Sequence, residues 1–267
     1  MSCGAGTSRN RPGFDDPGIE RSGLFSRARW LCVRRDTDAG VVRWAMRWQL
    51  LQELTDEERR AVLSRARRQL FARGEILFHE GDPADTVHFV AEGRVMARRT
   101  TASGDSVAFR VIGPGRVLGD VAVVSADPRR SSTIVALEPT TTLVLSFAEF
   151  RALCAEHPGV QLLLATLLAA RVKRLSNHLL EALFVPSDQR VVRRLLDLCE
   201  QYGNDGSGQV LIPLTQTDLA ELAGATRPTV NRVLRALAAQ GFVQLSRGRI
   251  VVVDPTRLAG RHAGTGL

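Results

Sequence analysis

Cysteine is scarce and scattered in this 267-residue chain: Cys3, Cys32, Cys154 and Cys199 never fall at CxxC spacing. Zinc sites, local iron–sulfur clusters and disulfide frameworks need closer or more regular placement, so the pattern argues against all three. No apolar run approaches the ~20 residues of a membrane-spanning helix, and the first residues lack the apolar core of a secretion signal. A cytoplasmic protein with no membrane partner is therefore expected. His79, His88, His157, His178 and His262 do not share a helix face with carboxylates at ligand spacing, so no metal is expected. His88 lies inside a strand pattern and reads as a packed histidine. Walker loop, nucleophile elbow and metal-hydrolase motif are all missing, which points away from an enzyme; Ser125 and Ser146 read as turn residues.

Acidic residues run short at one end. The whole chain carries 36 Lys and Arg against 28 Asp and Glu, a formal charge of +8. Such a balance suits a polyanionic partner without establishing one. Its placement says more, because beyond Gly224 stand seven arginines (227, 232, 235, 247, 249, 257 and 261) and one acid, Asp254.

What is present in that region is Leu214 to Val243, LTQTDLAELAGATRPTVNRVLRALAAQGFV. Leu219, Ala220, Leu222 and Ala223 give a short helix an apolar face, with Ala220 small enough for a close helix crossing. Gly224 follows where a sharp turn favours positive φ. Thr226 is a good N-cap for a second helix, Pro228 sits where a missing N–H is harmless, and Val230, Val233, Leu234 and Leu237 recur as its buried face. Arg227, Asn231, Arg232 and Arg235 lie opposite. Arg forks onto guanine and Asn onto adenine in the major groove, so this face has base-reading chemistry. After Gly241, FVQLSRGRIVVV reads as two strands joined at Arg247-Gly248, a wing whose Arg247 and Arg249 reach phosphate. The DNA-contacting set is then Thr215, Thr226, Arg227, Thr229, Asn231, Arg232, Arg235, Arg247 and Arg249. The plainer alternative is a helical hairpin with a solvated arginine face.

Upstream, residues 1–45 are rich in Gly, Arg, Ser and Asp without a sustained period, and read as a disordered or loosely attached extension. The natural start is expected near Met46. LTDEERRAVLSRA then forms the first patterned helix, with Thr55 and Glu58 as a capping box. From about Phe71 to Leu145, short β segments separated by glycines predict an antiparallel barrel or jelly roll able to hold one small ligand. FAEFRALCAEHPGV closes it with a short helix, giving a domain over 46–157. A long helix over 158–184 follows. Ala165, Leu168, Val172, Leu175, Leu179 and Ala182 recur at three-four spacing along it, the stripe of a coiled coil. About 27 residues span ~40 Å, long for a monomer's surface element; the stripe is read as a parallel homodimer seam, against burial on the helix's own barrel. Pro186 breaks the helix and Ser187-Asp188 cap the next, opening a DNA-binding domain over 185–256. Residues 257–267 are expected to be a flexible tail. The fold class is α+β: N-terminal antiparallel jelly roll or barrel, long dimerisation helix, C-terminal winged helix-turn-helix.

This order resembles the CRP/FNR superfamily of bacterial transcription regulators over roughly residues 50–255. RGEILFHEGDPADTVHFVAEGRV is similar to that family's cyclic-nucleotide-binding fold signature, and GPGRVLGDVAVVSADPRRSSTIVALE to its phosphate-binding cassette. The resemblance implies a homodimer on a pseudo-palindromic operator in double-stranded DNA, contacting RNA polymerase. It also implies an effector site at Gly119, Asp120, Arg130, Ser131, Leu175 and Ser176, for cAMP or a related cyclic nucleotide. Asp120 stands where cAMP-binding members have Glu, and Leu175-Ser176 where they have Thr-Ser. Another small effector, haem ligated by His or Cys, or no ligand is the alternative, with PRRSS a structural turn and Arg130 paired to a carboxylate. A nucleotide-binding regulatory subunit without DNA binding is the third reading. In the recognition helix, Arg227, Pro228 and Arg232 replace the family's Arg-Glu-…-Arg reading set, so a different operator follows.

Overall fold

The computed structural model describes residues 29–31, 48, 51–52, 54–101, 104, 106–203 and 208–263. Apart from 29–31, the extension 1–45 and the expected start at Met46 lie outside the described residues.

The chain opens with β1 (Arg29–Leu31) and α1 (Asp56–Arg65). As the spacing predicts, Thr55 and Glu58 form a capping box; the Glu58 carboxylate accepts from Thr55 N at 2.8 Å, satisfying amides that the helix leaves free. The barrel comprises β2 (Arg67–Phe71), β3 (Ile76–Phe78), β4 (Thr86–Glu92), β5 (Val95–Thr100), β6 (Ser106–Ile112), β7 (Val117–Leu118), the short α2 (Asp120–Val124), β8 (Thr133–Ala136) and β9 (Thr140–Ser146). These strands make two antiparallel sheets, ordered β1-β2-β9-β4-β7 and β3-β8-β5-β6.

Two differences from the sequence reading have physical causes. The barrel begins at β2, four residues before Phe71, because Arg67, Arg68 and Gln69 hide a strand from apolar periodicity; backbone pairing with β1 and β9 forms it instead. Pairing of β1 with β2 also attaches residues 29–31 of the extension to the sheet. Alternation fails at β4, where Val87 to Ala91 are all buried, since β9 and β7 flank it and packing covers both faces. Trp48, fully buried, donates from Nε1 to Val90 O at 2.9 Å and meets Phe89 edge-on. This core extends through Leu143, Leu145 and Phe150.

α3 (Phe147–Glu156) starts at a second capping box, Ser146 with Glu149, so Ser146 is a helix cap, not a turn residue. α4 (Pro158–Phe184) packs Val160 and Leu164 on the barrel. Leu168 joins them at the margin. Farther along, Val172, Leu175 and Leu179 are 64%, 46% and 61% exposed, so burial against the same chain's barrel accounts for the seam only as far as Leu168.

α5 (Ser187–Tyr202), β10 (Val210–Ile212), α6 (Gln216–Ala223), α7 (Arg227–Ala239), β11 (Val243–Ser246), β12 (Arg249–Val252) and α8 (Pro255–Ala263) complete the chain. Neither Ser187 nor Asp188 caps α5, whose N-cap is Pro186 without a side-chain bond. The expected tail is corrected as well: α8 reaches Ala263 and buries Leu258. The wing gains a third strand, in the order β10-β12-β11. Val191, Leu195, Leu219, Val230, Leu234 and Ile250 share one apolar cluster with Met96, Ala108, Val111 and Leu137 of the barrel, so the DNA-binding region does not close its core alone.

Candidate functional site

Two sets of side chains stand out, one in the barrel and one on the C-terminal helices. In the barrel, Arg130 follows Pro128 and Arg129 and is only 5% exposed. Its Nη1 donates to Thr86 O and its Nη2 to Thr86 Oγ1, each at 2.8 Å. The guanidinium lies 4.1 Å from the Phe78 ring centroid, and the exposed Asp85 carboxylate is 3.8 Å away. Its Nε is buried without a partner. Burial holds the Arg130 guanidinium below its ordinary range, opposed by Asp85 and Asp82. The carboxylate pairing and the exposed polar loop at Ser131 therefore coexist at one arginine.

Gly119 is required beside it. At φ +83°, an added Cβ would meet Arg130 Nη1 at 2.6 Å and Thr86 O at 2.8 Å, so no other residue lets the guanidinium through. Asp120, buried at the start of α2, lies 3.7 Å from Arg171 Nη1 on α4. Gly119, Asp120, Arg130 and Ser131 thus come together around a cavity of about 30 Å³, also lined by Phe78, Arg110 and Arg171. That is room for a water molecule or two. The cavity shares Arg110, Ser131 and Arg171 with a cleft of about 860 Å³ between β6, α4 and α5, where Leu175 is found. Ser176 is not brought to it: the residue is exposed, lines neither space, and donates back to Val172 O at 3.1 Å. A helical serine facing out satisfies its hydroxyl on the preceding turn.

His88 is 4% exposed, 5.7 Å from Phe78 and 3.3 Å from Thr142 Oγ1. Burial first, then the charge on Arg130, drive it down to about 3. It is a packed neutral histidine, as its strand pattern suggests. Among the described residues no three His, Cys, Asp or Glu side chains gather as metal ligands.

On the C-terminal side, Gly224 takes φ +56° between α6 and α7, and Arg190 ties the turn down by donating to Ala223 O at 2.9 Å and Gly224 O at 2.7 Å. Thr226 caps α7, with Thr229 N donating to its hydroxyl at 3.3 Å. Thr215 caps α6 in a box with Asp218. Val230, Val233, Leu234 and Leu237 are buried as predicted, and Arg227, Arg232 and Arg235 stand exposed on the other face. Arg247 and Arg249 are exposed at the wing, Arg249 Nε donating to Ser246 Oγ at 2.8 Å.

Two side chains expected to read bases already have partners within the chain. Arg232 forks onto Asp188 with both bonds at 2.7 Å, and Asn231 Nδ2 donates to Gln216 Oε1 at 3.0 Å. Asp188, Arg190 and Arg110 were not among the site residues read from sequence. Asp188 carries no periodic signal, but Arg110 does: it shares the inward register of β6 with Ala108 and Ile112, an odd place for a charge.

Comparison with known proteins identifies the two regions that carry these residues. Residues 68–157 match the model of the cyclic nucleotide-binding domain and 189–261 that of the Crp-like helix-turn-helix domain. The chain is 35% identical over 209 residues to a cyclic AMP receptor protein of Thermus thermophilus, covering 78% of this chain and 94% of that one. This chain belongs to the CRP/FNR superfamily. A CRP-like cAMP-activated global transcriptional regulator of Mycobacterium tuberculosis is 30% identical over 193 residues, covering 72% and 86%. The solved structure of FixK2 from Bradyrhizobium japonicum shares the fold, with TM-score 0.65 at 21% identity over 73% of this chain and 96% of that one. As a CRP-like transcription regulator, the chain carries a cyclic nucleotide-binding domain on its barrel side and a DNA-binding helix-turn-helix in α6 and α7. No single helix among the described residues is long and apolar enough to cross a membrane.

Proposed function

We propose that this regulator is a homodimer gated by a nucleotide in the barrel cleft. The observation that carries the reading is Arg130: a buried guanidinium with an unsatisfied Nε, beside an exposed Ser131, at the edge of a cavity. Burying an unsatisfied polar group is costly, and a phosphate diester supplies what such a fork lacks. A cyclic nucleotide is far larger than the cassette cavity, so its phosphate would sit at Arg130 and Ser131 while sugar and base extend into the wider cleft toward Leu175. Asp120 is held by Arg171 near the sugar. The Mycobacterium tuberculosis relative is described as cAMP-activated and the Thermus thermophilus one as a cyclic AMP receptor protein, which supports a cyclic nucleotide as the class.

The dimer seam is Leu168, Val172, Leu175 and Leu179. Its exposed part leaves three large apolar side chains in line on a helix of 27 residues, the arrangement that a second copy covers. Two recognition helices then meet a pseudo-palindromic operator, with half-sites about one DNA turn apart. Effector binding shifts the population toward one rotation of those helices, and coupling of ~1–3 kcal/mol is enough for a switch. The promoter-bound dimer contacts RNA polymerase.

Calorimetric titration with cAMP and cGMP, for wild type and Arg130→Ala, tests the effector. Micromolar binding lost in the variant supports the reading; absence of heat and of any melting shift overturns it. Sedimentation of Val172→Glu/Leu179→Glu tests the seam, the expected result being a monomer where the wild type is a dimer.

A further inference from the structure

The cleft around the cassette holds more positive charge than one phosphodiester answers. Arg110 lies in both the small cavity and the wide cleft, with its Nε buried and unpartnered. Burial and then the charges of Arg171, Arg174 and Arg116 press its guanidinium down to about 10, with Asp120 pulling the other way. Asp120 is already engaged by Arg171. Of the other carboxylates lining the cleft, Glu181 is taken by Arg193 and Arg194 and Asp197 by Arg194, and Glu200 makes no ion pair with Arg110 or Arg174. Among the described residues no carboxylate lies within ion-pair distance of Arg110 or of Arg174, which lines the same cleft from α4.

Gathering cations in a partly dry cleft is unfavourable unless an anion joins them. One diester at Arg130 and Ser131 leaves Arg110 and Arg174 unanswered. We propose that Arg110 on β6 and Arg174 on α4 form a second anion subsite, so that the effector is a nucleotide bearing two phosphate groups, one at Arg130 and one at this pair. The inference rests on the reading of the cleft as the effector site. Two forked guanidiniums from different elements match the spread oxygens of a phosphate. The cleft's 860 Å³ is ample, since pockets of ~300–1,000 Å³ hold drug-sized ligands. Leu175, apolar where the family's relatives use a hydroxyl, fits a ligand fixed by its charges at both ends.

Calorimetry on the full chain tests this with cAMP and cGMP as single diesters, cyclic di-AMP and cyclic di-GMP as ring-held pairs, and ADP and GDP as linear pairs. A two-phosphate nucleotide should bind about tenfold or more tighter than the matching cyclic mononucleotide, as one charge-assisted pair implies, and with a steeper salt dependence. The ring-held and linear arms show which spacing the cleft accepts. Arg110→Gln and Arg174→Gln should each shrink that ratio to within about threefold; Arg174 is exposed, so its variant folds even if the Arg110 variant does not. Equal affinity for one- and two-phosphate ligands, or a ratio untouched by either variant, overturns the second subsite. If the variants weaken the dimer and leave the ratio alone, the arginines serve a second subunit and the proposal is wrong. Arg130-dependent cAMP binding with no gain from a second phosphate sinks this inference alone, whereas silence from every nucleotide removes the effector reading with it.

Discussion

Arginines do opposite things at the two ends of this molecule. In the barrel, Arg130 is 5% exposed, bonded to the Thr86 carbonyl and hydroxyl and stacked on Phe78. On the recognition helix, the Arg232 side chain is 66% exposed and paired with Asp188. A buried guanidinium cannot change partners without losing hydrogen bonds that water does not replace. An exposed one exchanges a carboxylate for a base or phosphate almost freely, since surface ion pairs add little. On the proposed function, the contrast separates a residue fixed in advance to receive a ligand from residues held in reserve for a partner that arrives from outside.

The sharpest way to break the barrel side of that contrast is Gly119→Ala. The added carbon would press on Arg130 and on a backbone carbonyl at positive φ, so a loss of about 2–4 kcal/mol is expected, together with loss of effector binding. Thermal melts and titration check it; wild-type values in both would refute the argument that Gly119 makes way for Arg130. Arg227→Ala addresses the other side. It should leave the melting temperature unchanged but relax base choice at one position of each half-site by ~1–3 kcal/mol, as read by binding-site selection. Selectivity equal to wild type would remove Arg227 from the reading set.

His88 gives a smaller, pH-dependent effect. Its folded-state value of about 3 lies below the ordinary 6.5, so the unfolded chain takes the proton first. Its contribution is complete above about pH 6.5 and is lost as pH falls toward 3, on the order of 1 kcal/mol per pH unit. His88→Gln should therefore flatten the difference between melts at pH 7 and pH 5. Asp188→Asn has the smallest effect on folding: no measurable change in melting, but tighter DNA binding, because the variant frees Arg232 and removes a negative charge beside the recognition helix. Fluorescence anisotropy at low salt reads this out, and unchanged affinity would mean that the pair does not compete with DNA.

Much of this is legible in the sequence. The helix-turn-helix is, because Gly224, the Thr226 cap and the Val230–Leu237 stripe each impose a local rule that tertiary packing left intact. So is the Thr55–Glu58 box. What escaped depended on partners distant in sequence. β2 is held by its neighbours and not by its own polar residues; β10 is three residues whose role is to edge the wing; and the last helix folds because Leu258 finds the common core. At the cassette, Gly119, Asp120, Arg130 and Ser131 do converge, while Ser176 turns its hydroxyl onto its own helix. Arg110 was readable in principle from the alternation of β6, yet an arginine amid Ala108, Val111 and Ile112 looks like noise until the cleft beside it is seen.

The apolar cluster shared between barrel and helix-turn-helix has a further consequence for how such proteins diversify. Met96, Ala108, Val111 and Leu137 are barrel residues by chain position but face the DNA-binding core, and Arg94 locks the junction through Glu138, the Gln201 carbonyl and the Tyr202 ring. A DNA-reading half grafted here from another regulator would have to match this contact surface. Recombination within the family is thereby filtered by fit at a joint that reads no operator.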